Sequence, residues 1–171
     1  MRRRLGALGA GLGLALLSGC TPAQLPLAAV WIGPDGRPVA ELRMCAPEHQ
    51  AARVSLGSWP TQNTDGDAST SEIPDPLPSG WSSRRPERLD RMVFPLFSPS
   101  SDWQVDAEGI QELRPGRTYA LDYFGPRGSD TYDGVVYFTS EDLANLRPDE
   151  VWADSRAMSR ESFDDLVDDA C

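Results

Sequence analysis

The stretch LRPGRTYALDYFG, which begins at Leu113, limits the folds open to this chain more than any other stretch. Within it, Tyr119, Leu121 and Tyr123 alternate with smaller or polar residues. Successive side chains of a β-strand point to opposite faces, so this period of two predicts a strand with one buried aromatic face. A Pro115-Gly116 turn precedes the alternation and marks where the strand starts.

Alternating or short apolar stretches recur along the chain. They predict further strands at 28–32, 39–45, 52–59, 89–97, 103–105 and 134–138. The turn sequence Pro34-Asp35-Gly36 joins the first two strands as a hairpin. Pro95 cannot donate to a strand ladder, which places its strand at a sheet edge. Residues 60–88 are rich in Pro, Ser, Thr, Asp and Gly and predict a long, partly disordered loop.

The turn before Tyr119 carries a resemblance to a known class of fold. The pattern L-x-P-G-x-x-Y over Leu113–Tyr119 resembles the tyrosine corner of fibronectin type III and immunoglobulin-like sandwiches. The resemblance spans seven residues and implies that the Tyr119 hydroxyl bonds to the main chain while its ring packs inside. We therefore expect a mainly β protein, a sandwich of about seven strands over 28–138 with a C-terminal helical segment.

The C-terminal stretch SRESFDDLVDDAC has a helical period. Its apolar residues fall at i, i+3, i+4 and i+7 from Phe163 and predict an amphipathic α-helix over about 160–170. Ser159 is the expected N-cap. Further upstream, Thr139 precedes Asp142 by three residues, an approximate capping box. Residues 139–171 are thus predicted to form a helical segment packed on the sandwich.

The first residues read as an export signal. Three arginines, Arg2–Arg4, precede an apolar stretch that is too short to span a membrane. The stretch ends in Leu17-Ser18-Gly19-Cys20, which resembles the lipobox of bacterial lipoprotein signals. That resemblance implies that residues 1–19 are removed, that Cys20 carries lipid, and that 20–27 form a short tether. It also implies a location at the outer face of the cytoplasmic membrane.

Two cysteines remain after Cys20. An exported protein enters an oxidising space, where an even pair predicts a disulfide between Cys45 and Cys171. The alternative is a reactive thiol or a metal ligand. A bridge between positions 126 apart would stabilise the fold by about 4–5 kcal/mol in the chain-entropy estimate.

The charge balance restricts the partners of the mature chain. Without the three leading arginines, 13 basic residues stand against 26 acidic ones, a net charge of −13. Such a domain is repelled by nucleic acid and by a phosphate-rich surface such as anionic lipid. We therefore expect membrane attachment through lipid on Cys20, an envelope protein as a possible partner, and no nucleic-acid partner.

Few residues point to catalysis. The chain has one histidine, His49, no G-x-S-x-G motif, and no lysine for a phosphate-binding loop. We therefore predict a non-catalytic protein without a cofactor, which binds a partner or serves as a scaffold. The alternative prediction is a lipoprotein that binds a metal ion or a small ligand.

Two groups of residues are metal-site candidates. Met44, Cys45 and His49 are soft ligands close in sequence and could hold copper. Four aspartates near glycines could form loops that bind Ca²⁺: Asp65, Asp67, Asp130 and Asp133. Asp with Gly is also the ordinary composition of a turn, and neither loop has EF-hand spacing.

Trp81 is the aromatic residue that fits its surroundings least well. It lies in the polar stretch PSGWSSRRPER, shortly before Arg84, Arg85 and Arg88. An aromatic residue with arginines predicts a partner-binding loop, because such residues dominate interface hot spots. In the alternative interpretation the loop folds back and buries Trp81 against the sandwich.

Overall fold

A computed structural model of the chain describes residues 22–46, 51–61, 80–84, 91–99, 103–109, 111–125 and 132–171. These residues form eleven strands and two helices. The strands are β1 (Ala23–Gln24), β2 (Ala28–Ile32), β3 (Pro38–Arg43), β4 (Arg53–Pro60), β5 (Gly80–Arg84), β6 (Arg91–Pro95), β7 (Gln104–Glu108), β8 (Arg117–Phe124), β9 (Tyr132–Thr139), β10 (Glu150–Ala153) and β11 (Arg156–Ser159). The helices are α1 (Ser140–Ala144) and α2 (Arg160–Ala170).

The strands form two sheets. One has six strands in the order β1-β9-β8-β4-β5-β7, and the other has five in the order β11-β10-β2-β3-β6. Strand pairing is antiparallel except between β1 and β9, which are parallel. The mainly β class with a short C-terminal helix, predicted from the sequence, is confirmed, and the arrangement is that of a sandwich. No described helix has the length and apolar character needed to cross a membrane.

The core lies between the two sheets. Along β8, Tyr119, Leu121 and Tyr123 are each at most 2% exposed, as the alternation predicted. The five-stranded sheet contributes an inner face that includes Val30, Ala40 and Phe94. β6, which contains Pro95, is an edge strand, so that prediction also holds.

The tyrosine corner is present. The Tyr119 hydroxyl donates to the Glu112 carbonyl at 3.1 Å and accepts from the Arg114 N–H at 2.7 Å. Its ring stacks on Phe138 with centroids 5.4 Å apart. Burial raises the pKa of the Tyr119 hydroxyl, although the Arg114 N–H opposes that shift. The Tyr119 hydroxyl thus holds the turn that precedes β8 against that strand, as the resemblance implied.

The predicted loop over 60–88 needs correction, because it contains strand β5. GWSSR has one large apolar residue and therefore no visible alternation. It becomes a strand because β4 and β7 pair with it on both sides. Gly80 has φ +148°, and a Cβ there would lie 1.8 Å from the Leu56 carbonyl oxygen, so only glycine fits at this close approach.

Both ends of the predicted sandwich domain also need correction. The predicted tether 20–27 contains β1, which pairs with β9. The predicted helical segment 139–171 contains the hairpin β10–β11, and β10 joins the five-stranded sheet through β2. Its turn residues Asp154 and Ser155 both have positive φ, 49° and 57°. The hairpin was not predicted from the sequence because its turn lacks the glycine that such turns favour.

The helices begin where the sequence predicted. Thr139 and Asp142 form a capping box at α1, and Ser159 accepts from the Ser162 N–H at 3.1 Å at α2. α2 buries Phe163 and Val167. Three contacts hold α2 on the outer face of the five-stranded sheet: an ion pair between Arg43 and Asp164, the Arg160 guanidinium over the Trp31 ring, and the Cys45–Cys171 disulfide with Cα atoms 5.1 Å apart.

The strand directions give the sandwich two distinct ends. At one end, the Cys45 N–H donates to the Tyr132 hydroxyl at 3.2 Å, close to the disulfide and to Ala23. We call it the disulfide end. β2, β4 and β9 run from it toward the opposite end, where Ile32, Leu143 and Arg160 line a cleft. We call that end the cleft end.

Candidate functional site

Trp81 is not an exposed anchor, so its prediction as a partner-binding residue is wrong. It is 3% exposed and lies on the inner face of the six-stranded sheet. Its indole N–H donates to the Leu96 carbonyl at 2.7 Å, and its ring meets Phe94 and Trp103 edge to face. The alternative interpretation, in which Trp81 is buried, describes the structure. The reason is that β5 lies within a sheet and points this side chain into the core.

Of the three arginines predicted to act with Trp81, Arg84 lies among the described residues, and it does not share a face of the sheet with Trp81. Arg84 ends β5 with an exposed side chain. Arg85 and Arg88 lie outside the described residues. Trp81 and Arg84 are three residues apart on one strand and therefore point to opposite faces of the sheet. They cannot form one aromatic–arginine anchor.

The metal candidates are only partly described. Met44 is buried, and the Tyr132 hydroxyl lies 3.5 Å from its sulfur. Cys45 forms the disulfide with Cys171. The Asp133 carboxylate accepts a hydrogen bond from Gln24. The described part of the chain contains no group of three or more His, Cys, Asp or Glu side chains placed to hold a metal ion. His49, Asp65, Asp67 and Asp130 lie outside the described residues, as does Cys20.

A cleft of about 380 Å³ opens at the cleft end. It lies between the end of β2, the turn after it, α1 with the segment that follows, and the first residue of α2. Its lining includes Trp31, Ile32, Pro34, Leu143, Leu146, Arg147, Pro148, Asp149, Glu150 and Arg160. A volume of this size falls in the range of small-ligand sites.

Trp31 and Arg160 form one wall of this cleft. The Arg160 guanidinium carbon lies 4.1 Å from the centre of the Trp31 ring, a close cation–π contact. Arg160 makes no ion pair with a carboxylate among the described residues. The contact holds the planar guanidinium in one orientation, with its charge unpaired by any described carboxylate.

Arg147 also lines the cleft and forms an ion pair with Glu150. Its Nε lies 3.2 Å from Glu150 Oε1, and its backbone N–H donates to Oε2 at 2.9 Å. The Arg147 side chain is 85% exposed, so this ion pair is weak and the guanidinium can turn toward a ligand. Between the two, Asp149 has φ 69°, a left-handed conformation that is uncommon outside glycine.

The remaining lining is apolar. Ile32 is 37% exposed, although most large apolar side chains of the described residues are buried. Together with Leu146 and Pro148 it gives the cleft an apolar part in addition to its two guanidinium groups. Such a surface suits a ligand that has an apolar body and a carboxylate. Among the described residues, the titratable groups that line the cleft are Arg147, Asp149, Glu150 and Arg160.

A smaller cleft of about 170 Å³ lies beside the β10–β11 turn, between Leu25, Tyr123 and Asp154. The Tyr123 hydroxyl in its wall donates to the Leu25 carbonyl and accepts from the Leu27 N–H at 3.0 Å. Burial raises the pKa of this hydroxyl well above its ordinary value. Because the hydroxyl is engaged with the chain itself, this cleft offers less to a ligand than the larger one.

Sequence reasoning did not find the residues of the larger cleft. Arg147 and Arg160 were not singled out. One signal was available: Arg160 is the first residue of α2, where the helix dipole disfavours a cation. Such a local conflict often marks a residue retained for another purpose.

Comparisons with models of protein families, with curated proteins and with solved structures find no match for this chain.

Proposed function

We propose that the protein is an exported lipoprotein that acts as a non-catalytic binding module at the outer face of the cytoplasmic membrane. The lipobox-like sequence before Cys20 supports the anchor. The observation that carries the proposal is the direction of the chain: it enters the sandwich at the disulfide end, through Ala23, and the cleft lies at the other end.

The distance between anchor and domain is short. Three residue steps separate Cys20 from Ala23 and reach about 10 Å when extended. A lipid on Cys20 would hold the disulfide end close to the bilayer and turn the cleft toward the envelope space. This arrangement suits a module that presents a binding site to soluble or extended partners.

The ligand that the cleft supports best carries a carboxylate beside an apolar group. Arg160 offers an oriented guanidinium, and guanidinium–carboxylate bonds are among the strong hydrogen bonds in proteins. Apolar side chains around it, such as Leu146, would contact the rest of the ligand. We also propose assignment to the fibronectin type III or immunoglobulin-like sandwiches, on the tyrosine corner; this fold supports a binding role by analogy only.

The anchor is tested by replacing Cys20 with alanine. We expect the natural protein to sediment with membranes and to carry the mass of a diacylglyceryl group, with or without a further acyl chain. The Cys20→Ala variant is expected to lose both properties, because two acyl chains are needed for stable attachment. Intact mass spectrometry and membrane fractionation measure the two. A natural protein with an unmodified Cys20 would refute the anchor.

The cleft is tested with N-acetylphenylalanine as a probe, compared with its amide. We expect the acid to shift the NMR signals of the Trp31 indole and of residues 143–150, and the amide to bind about tenfold more weakly. Arg160→Gln is expected to abolish the difference between the two. Arg37→Gln, an exposed arginine outside the cleft, is the control. Equal binding of acid and amide to the natural protein would contradict a carboxylate site.

A further inference from the structure

One row of residues crosses the six-stranded sheet at the disulfide end. The strand register aligns one residue from every strand: Gln24, Asp133, Phe124, Arg53, Arg84 and Gln104. With strands about 4.8 Å apart, Arg84 lies roughly 19 Å along this row from Gln24. The row therefore runs across the sheet from the strand that follows the anchor.

The middle of this row is aromatic and basic. Phe124, Arg53 and Arg84 all have exposed side chains on the outer face of the sheet, and we call these three the docking row. Phe124 is 40% exposed. The Arg53 guanidinium carbon lies 4.8 Å from the centre of its ring. Neither Arg53 nor Arg84 forms an ion pair with a described carboxylate.

Among the residues that the structure describes, the acidic groups nearest the docking row are few and lie to its sides or nearer the cleft end. Asp133, in the same row, accepts a hydrogen bond from Gln24. The next outward-facing row, two residues closer to the cleft end on each strand, contains Asp122 and Asp106. Burial raises the pKa of Asp122, with Arg53 opposing that shift. The docking row is thus a local basic edge on a chain with a formal net charge of −10.

Most of the C-terminal acids are remote from this edge. The aspartates of α2 lie on the outer face of the other sheet, where Asp164 pairs with Arg43. Charges separated by more than a Debye length, about 8 Å in physiological salt, are largely screened from each other. The overall charge therefore repels an anionic surface less at this edge than the composition alone predicts.

We infer that the docking row contacts the membrane and binds anionic phospholipid headgroups. The inference rests on the proposed lipid anchor, because Gln24 begins the row only four residues after Cys20. A short tether confines the domain near the bilayer and makes docking an intramolecular step. Phe124 would enter the interface, and the two arginines would bind phosphate groups. Docking fixes the orientation of the domain, with the cleft facing away from the membrane.

The test uses residues 20–171, which contain every described residue, joined to a maleimide lipid. The Cys45–Cys171 disulfide leaves Cys20 as the reactive thiol. The conjugate is placed on vesicles of phosphatidylcholine with a minority of phosphatidylglycerol, and amide hydrogen exchange is measured by mass spectrometry. We expect protection in peptides covering 51–56, 80–84 and 120–125. Peptides covering 31–37 and 143–150 should exchange as they do without vesicles.

Substitutions identify the contact. Each arginine near an anionic surface contributes about fivefold to binding, so Arg53→Gln with Arg84→Gln should lower the docked-to-free ratio about 25-fold. High salt or pure phosphatidylcholine should have a similar effect. Arg37→Gln, at the cleft end, removes a positive charge without changing the protection. Unchanged near-UV circular dichroism shows that the double variant is folded.

The inference is overturned if vesicles leave exchange unchanged, if the cleft end is protected instead, or if the double variant docks as the natural sequence does. The conjugate does not depend on lipidation in cells. If the natural protein carries no lipid but the conjugate docks, the proposed anchor is refuted and the docking row still binds lipid. A lipidated natural protein beside a conjugate that does not dock would refute the docking row alone.

Discussion

Replacing Cys45 and Cys171 together with alanine is expected to lower the free energy of unfolding by about 4–5 kcal/mol. The bridge joins positions 126 apart, so its loss releases a long loop in the unfolded chain. It also frees the end of α2. Asp168 and Asp169 stand in the last turn of that helix, where the dipole disfavours anions.

The effect on α2 should be uneven along the helix. Its first turn keeps the Arg160–Trp31 contact and the buried Phe163. Its last turn keeps Val167 as its buried residue and loses the covalent tie. Hydrogen exchange in the variant is therefore expected to rise first at residues 166–171.

Urea unfolding of the alanine variant and of the natural sequence, both with Cys20 replaced by serine, measures the difference. A reducing agent should destabilise the protein with the bridge and leave the alanine variant unchanged. If reduction does not alter the urea midpoint of the protein with the bridge, the predicted contribution is wrong.

Replacing Trp81 with alanine is expected to lower the free energy of unfolding by about 3–5 kcal/mol. The change leaves a cavity next to Phe94 and Trp103 and leaves the Leu96 carbonyl without its indole donor. Trp81→Phe should cost less, about 1–3 kcal/mol, because the ring is partly retained while the carbonyl stays unpaired.

Trp59 provides the matched control for Trp81. It lies on the outer face of the same sheet, half-buried, with its ring 6.2 Å from that of Tyr137. Trp59→Ala should therefore destabilise much less than Trp81→Ala. Equal effects of the two substitutions, measured by urea unfolding, would contradict the inner position of Trp81.

The sequence predicted the elements whose local signals were strong. The period of two in β8 identified a strand, and the apolar spacing after Ser159 gave the bounds of α2. It did not predict β5 or the β10–β11 hairpin. GWSSR carries one large apolar side chain, and the hairpin turn uses Asp154-Ser155 in place of a glycine-containing pair. Both elements are stabilised by neighbouring strands that are distant in sequence.

The candidate sites also divide into those that a local sequence signal predicted and those that depend on the tertiary structure. Local signals predicted the tyrosine corner and the cysteine pair, because the corner follows a motif of seven consecutive residues and the pair follows from a count of cysteines in a chain expected to be exported. Trp81 was assigned wrongly because composition cannot tell which side of a strand faces the core.

The sequence alone thus determined the fold class, the C-terminal helix and the expectation of a lipid anchor, since each depends on neighbouring residues or on composition. The tertiary structure alone decided which side chains meet. It brought Arg160 over Trp31 at one end and aligned Phe124, Arg53 and Arg84 at the other. Such contacts join residues that are 31 to 129 positions apart, and only the packing of α2 and the strand register bring them together.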